Sequence, residues 1–162
     1  MIQDSGARRE FETGAVRDIQ EGKGRCDLLP LDMIAEMYKD FEDSDTATVF
    51  SYLAQFQKMG SAGFLTDLLW HCKGIFPDLS TMLIELSKHF EEGATKYGER
   101  NWQKGIPTHC YVNSAIRHYL KWLRSDGDER HDRAFVWNVL CCAWTVKNKP
   151  EMNDYPLGGK DD

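Results

Sequence analysis

Residues 135–144 (Phe-Val-Trp-Asn-Val-Leu-Cys-Cys-Ala-Trp) are apolar on every side of a helix except at Asn138. A segment apolar all round has no face to turn to water, so it belongs at the centre of a helical domain with other elements packed around it. No run in the chain shows a convincing two-residue alternation, and no internal repeat appears. The expected fold is therefore all-α, a compact helical bundle. Its size fits one domain, since 162 residues suffice to bury a real core.

The helices around that centre are legible from punctuation and period. Pro30 and Asp32 start a helix in which Ile34, Met37 and Tyr38 form an apolar stripe. After an acidic loop from Asp40 to Asp45, an aromatic stretch over residues 49–70 reads as two short helices broken at Gly60-Ser-Ala-Gly63. Pro77 and Asp78 open the next helix, and Gly105 and Pro107 mark a loop beyond Trp102. Residues 112–124 are amphipathic, with Val112, Ala115, Ile116, Tyr119, Trp122 and Leu123 on one side and Asn113, Arg117, Lys121 and Arg124 on the other. The expected organisation is a polar arm without independent structure over residues 1–25, a helical domain over 26–147, and a frayed tail over 148–162.

Composition excludes several classes. No apolar run approaches the ~20 residues of a membrane span, and the N-terminus lacks the apolar stretch of a signal peptide. Five Cys, two of them adjacent at Cys141 and Cys142, make neither a disulfide framework nor a Cys-x-x-Cys zinc site, so a reducing cytoplasm is expected. A net charge of −6 works against duplex nucleic acid or an anionic membrane. Basic residues are still concentrated locally, at Arg17, Lys23 and Arg25 and again at Lys96, Arg100, Lys104, Arg117, Lys121 and Arg124, a patch that a small anionic ligand could use and that is as often a solvated helix face.

Two acidic clusters stand out. In the first, Glu85, His89, Glu92 and Lys96 share one helical stripe while Leu83, Leu86, Phe90 and Ala94 lie opposite. Such a stripe is as often a wet face as a site, and Glu91 lies off it, flanking the site or facing water. In the second, Glu129 and Asp132 are i,i+3 neighbours suited to sharing a cation. Acids in a first helical turn also cap it, although Asp126 or Asp128 alone would suffice. Asn138 must find partners inside its apolar helix, more commonly in a structural network than on a ligand. His118 and His131 read as structural or supporting groups. Tyr97 and Trp102 read as core anchors or as platforms for a nucleobase.

Three stretches carry a resemblance: Gly14-Ala-Val-Arg-Asp18 with Glu21-Gly-Lys-Gly-Arg25 and Asp27-Leu-Leu-Pro30; His89-Phe-Glu-Glu-Gly-Ala with Lys96-Tyr-Gly-Glu-Arg-Asn-Trp102; and Arg117-His118-Tyr-Leu-Lys-Trp-Leu with Asp128-Glu129 and His131-Asp132-Arg-Ala-Phe-Val-Trp-Asn138. Over roughly residues 13–145 the chain resembles the phage-associated dATP/dGTP diphosphohydrolase family, which is related to the MazG-like all-α nucleoside triphosphate pyrophosphohydrolases. The resemblance implies Mg²⁺-dependent hydrolysis of purine (deoxy)nucleoside triphosphates to monophosphate and pyrophosphate, with Mn²⁺ as an alternative ion. It implies a homodimer or homotetramer in the cytoplasm of a phage's bacterial host. Glu91, Glu92, Glu129 and Asp132 match the family's acidic motifs and would be catalytic; Glu92, Glu129 and Asp132, with Glu91 or Glu85, would hold the metal. Lys96, Asn101, Trp102, Arg117, His118, Lys121 and Asn138 would bind substrate. The third acid of the MazG-like Glu-Glu-x-x-Glu pattern is replaced by Thr95, with Glu85 or Glu99 as substitutes. That departure keeps a second reading open, a catalytically weak nucleotide-binding regulator or sequestering protein. A helix-turn-helix DNA binder is disfavoured by the acidic net charge and dispersed basic residues.

Overall fold

The structure, a computed structural model, describes residues 6–40 and 44–156. Six helices carry most of it: Leu31–Asp40 (α1), Ser44–Met59 (α2), Ala62–Cys72 (α3), Leu79–Tyr97 (α4), Thr108–Leu123 (α5) and His131–Asn148 (α6). The expected all-α bundle is the fold found. Helix α6 lies at its centre against α3, α4 and α5. Phe135, Val136, Val139, Cys141 and Cys142 are buried, as a helix apolar all round requires. Phe50 and Phe56 of α2, Leu65 and Leu68 of α3 and Tyr111 and Ile116 of α5 close the core, each such side chain contributing about 1.5–3 kcal/mol on leaving water. No helix among the described residues is long and apolar enough to cross a membrane.

Local chemistry explains the boundaries. Asp78 caps α4, its carboxylate accepting from the Thr81 amide at 2.7 Å. Gly60 separates α2 from α3 with φ +66°, and a Cβ there would come within 2.3 Å of the Tyr155 carbonyl oxygen. Both the left-handed turn and the close passage of the C-terminal segment therefore need a glycine. That segment is folded where a frayed tail was expected: Tyr155 is buried edge-on against Phe56, and Asn153 donates to the Gly60 carbonyl. Residues 157–162 of the expected tail, residues 1–5 of the expected arm, residues 41–43 of the acidic loop and the Tyr38 side chain lie outside the described residues.

The N-terminal stretch, read from sequence as a structureless arm, contains an antiparallel hairpin. Arg8–Glu10 (β1) pairs with Val16–Asp18 (β2), placing Arg9 opposite Arg17. Side chains of the bundle clasp it. Asn101 accepts from the Val16 amide and donates to the Val16 carbonyl, both at 2.9 Å, as a neighbouring strand would. Arg17 donates to Asn138, and Asp18 receives Lys96 and Tyr97.

Two sequence expectations about faces are corrected. The polar stripe of α4 is turned inward, because Met82, Leu86 and His89 form the buried seam and the adjoining sector meets α6 and the hairpin. Leu83, expected on the apolar side, is instead 53% exposed, and Ile84 is 59% exposed. In α5, Asn113 is buried and accepts from the Cys26 amide, while Trp122 and Leu123 reach solvent. Both helices are wrapped on more sides than a single apolar stripe indicates.

Candidate functional site

A cavity of about 880 Å³ lies between the hairpin, α4, the loop after it, and the facing sides of α5 and α6. This is within the usual range for a small-molecule site. One wall is cationic, formed by Arg17, Lys23, Arg117 and Lys121; another is aromatic, formed by Phe90, Tyr97, Trp102 and Trp137.

Arg17 and Arg117 meet across the cavity. Nη2 of each donates to Ser114 Oγ, at 3.4 and 3.2 Å. Burial and the neighbouring Arg17 charge hold the Arg117 guanidinium below its usual range. Nη1 of each is buried with no partner among the described residues, and so is the Trp137 indole nitrogen. Two like charges with unmet donors are unfavourable in a protein interior unless an anion joins them. None of the three was expected as a ligand contact except Arg117. Arg17 had shown in the sequence only as one of several basic residues, because nothing there indicated that a hairpin carries it back onto α5.

At one end of the cavity a second group converges. His118 Nδ1 and His131 Nδ1 are 2.9 Å apart, and Glu129 Oε1 lies 3.5 and 3.7 Å from them. His131 is oriented from behind, with Nε2 2.6 Å from Asp128 Oδ1, and Asp128 is itself held by Lys121 at 2.9 Å. With Nε2 as the protonated nitrogen, Nδ1 presents a lone pair toward His118 and Glu129, as in carboxylate–imidazole–metal arrangements. Burial, Arg117 and His131 keep His118 well below its ordinary pKa, so it is a neutral imidazole. Two imidazoles and a carboxylate are a suitable donor set for a divalent cation. Asp126, Asp128 and His131 also come within ligand distance of one another.

The other acids expected at a metal occupy different surroundings. Glu92 Oε1 lies 2.5 Å from Arg133 Nη2. Asp132 takes a two-pronged contact from Arg130, at 3.0 and 2.7 Å. Glu85 is met by Lys88 at 2.6 Å, Arg130 at 3.0 Å and Arg133 at 3.5 Å. Glu91 is exposed at the cavity rim. The structure thus brings Glu85, Glu92 and Asp132 together around Arg130 and Arg133, and Glu129 apart from them with the two histidines.

Of the expected substrate residues, Arg117, His118, Lys121, Asn101, Trp102 and Asn138 line the cavity. Asn101 is committed to the hairpin, Trp102 packs at a tilt against Phe90 and edge-on against Trp144, and Asn138 donates to the Ala134 carbonyl while accepting from Arg17. Lys96 is buried 3.0 Å from Asp18, holding the hairpin's second strand.

Fold and cavity together give a helical domain in which a cavity with a cationic and an aromatic wall adjoins His118, Glu129 and His131, a group that could hold a metal ion. The family model described as dATP/dGTP diphosphohydrolase, N-terminal, matches residues 57–155, more than half of the chain, and the chain belongs to that family. No curated protein and no solved structure matches it.

Proposed function

We propose that the chain hydrolyses purine deoxynucleoside triphosphates, dATP and dGTP foremost, to monophosphate and pyrophosphate in this cavity. The observation that carries the reading is the pair of guanidinium groups of Arg17 and Arg117, which both line the cavity and each keep a buried Nη1 with no partner among the described residues. A polyphosphate supplies the oxygens they lack, Lys121 and Lys23 extend the charge, and the aromatic wall with the Trp137 N–H suits a base. His118, Glu129 and His131 would hold the divalent cation, and two imidazole nitrogens with one carboxylate favour Mn²⁺ over Mg²⁺, which prefers oxygen donors. A cation there supplies charge neutralisation at phosphate oxygens and a more acidic bound water. Glu91, at the rim, orients substrate or water. The reaction places a water oxygen on the α-phosphorus, breaks the α–β bridge and releases pyrophosphate.

A second reading is favoured by one observation: Glu85, Glu92 and Asp132 are already matched by arginines, leaving Glu129 as the carboxylate among the proposed ligands. Such a site binds nucleotide and turns it over slowly or not at all. Chromatography of products from each dNTP and NTP with Mg²⁺ or Mn²⁺ separates the two. Monophosphate and pyrophosphate from dGTP or dATP support hydrolysis, tight binding without products supports the regulator, and neither binding nor products rejects both.

A further inference from the structure

Away from the histidine–glutamate end, the start of α5 carries a second chemical group. Cys110 Sγ lies 3.3 Å from Nε2 of the adjacent His109. His109 Nδ1 lies 2.7 Å from Asp154 Oδ2, and the same oxygen accepts from the His109 amide at 2.9 Å. Arg9 of β1 reaches the sulfur from the other side, with Nη2 at 2.9 Å. Cys110 is the third residue of α5, so it also sits at the positive end of a helix. It is 3% exposed and opens toward the cavity wall.

The geometry is that of a nucleophile, a base and an orienting acid in line. We propose that Cys110 is an activated thiolate, paired with a His109–Asp154 relay and clamped by Arg9, and that it is a modification site for small soft electrophiles, of which hydrogen peroxide is the class to test. The sulfur attacks one peroxide oxygen and the O–O bond breaks. Sulfur is oxidised by two electrons to the sulfenic acid, and the departing hydroxide takes the imidazolium proton and leaves as water. The adduct removes the anion that ties Arg9, and with it β1, to α5.

Electrostatics agree with the geometry. Burial alone would push the Cys110 thiol up, but the His109 hydrogen bond and the charges of Arg17, His109 and Arg9 outweigh it and hold it below its ordinary value. His109 is pushed up to about 10, first by Asp154 and then by Cys110. Every other cysteine goes the opposite way. Burial raises Cys26, carries Cys72 to about 12, and puts Cys141 and Cys142 well above the ordinary value. Selectivity therefore has a physical basis.

The test uses the full chain with limiting iodoacetamide between pH 6 and 8, the adduct being located by peptide mass. An ordinary thiol gains about tenfold in rate per pH unit over this range as its thiolate fraction rises. Cys110 is expected to carry the first adduct, with a pH profile lying below that of Cys26, and Asp154→Asn is expected to move that profile back up. A peroxide arm, with dimedone to trap sulfenic acid, should label Cys110 in wild type and give no label at this position in Cys110→Ser. A first adduct on Cys26, or a pH profile at Cys110 no lower than that of Cys26, overturns the thiolate. An unchanged profile in Asp154→Asn overturns the relay. Absence of a dimedone adduct at Cys110 overturns the peroxide step. None of these readouts depends on nucleotide turnover.

Discussion

Replacing Arg133 with Met tests which acids are structural. Arg133 is 5% exposed in α6 and is the shared partner of Glu92 at 2.5 Å and Glu85 at 3.5 Å. Breaking a buried ion pair from one side typically costs 3–5 kcal/mol. Two features reduce that here. The Glu92 side chain is 29% exposed and can recruit water, while Glu85 keeps Lys88 and Arg130. Met also preserves the aliphatic stem. The expected loss is about 2–3 kcal/mol, which in a domain of this size corresponds to a fall in Tm of roughly 5–10 °C. Urea and thermal unfolding followed by circular dichroism measure it, and Arg133→Met combined with Glu92→Gln should recover part of the loss. If Glu92 and Glu85 were metal ligands instead, Arg133→Met would leave stability nearly unchanged and strengthen cation binding. A Tm shift under about 1 °C with tighter Mn²⁺ binding would refute the structural assignment.

Glu129→Gln should weaken Mn²⁺ binding at least about tenfold with the fold intact, whereas Asp132→Asn should lower Tm and leave affinity within about twofold; calorimetry on both variants checks the contrast. Arg17→Met removes a charged donor worth about 1.5–3 kcal/mol, so dGTP affinity should fall at least about tenfold in equilibrium binding. Burial, followed by the charge of Arg133, holds His89 down at about 4. The unfolded chain therefore binds the proton first, stability declines as pH drops from about 6.5 toward 4, and urea midpoints should lose part of that slope in His89→Gln. The outward Leu79, Leu83 and Ile84 of α4 fit a subunit contact, so light scattering should report a dimer or larger at micromolar concentration, and Leu83→Glu with Ile84→Glu should yield monomer.

The helical course was legible because its signals are local. Asp78 caps where an N-cap acid should, Gly60 breaks where φ must be positive, and residues 135–144 announced a central helix by having no polar face. What failed was the inference from one helix to its neighbours. A polar stripe on α4 resembles a wet face whether solvent or a clasping hairpin covers it, and the sequence of α4 does not distinguish these. Phe50 and Phe56 of the aromatic stretch fill this chain's own core, since α3 and α5 supply more cover than that stretch alone suggests. The candidate site was half visible. Glu129 was picked out by spacing, Arg117 and Lys121 by charge, and His118 only through the family resemblance, but Arg17 and the orientation of His131 by Asp128 depend on contacts between distant segments and a turn geometry that no period encodes. The hairpin's strands, three residues each, are too short to show alternation.

The hairpin carries one further consequence. It supplies Arg17 to the cavity and Arg9 to the Cys110 sulfur, with Lys23 in the turn that follows, yet it precedes residues 57–155, where the family match lies. Its attachment combines side-chain clasps from Asn101, Asn138 and Lys96 with a small apolar seating, Ala15 being buried in the core and Phe11 packed against it. Changes in residues 8–25 can thus alter the charge of the cavity wall while the helices that set the fold stay as they are.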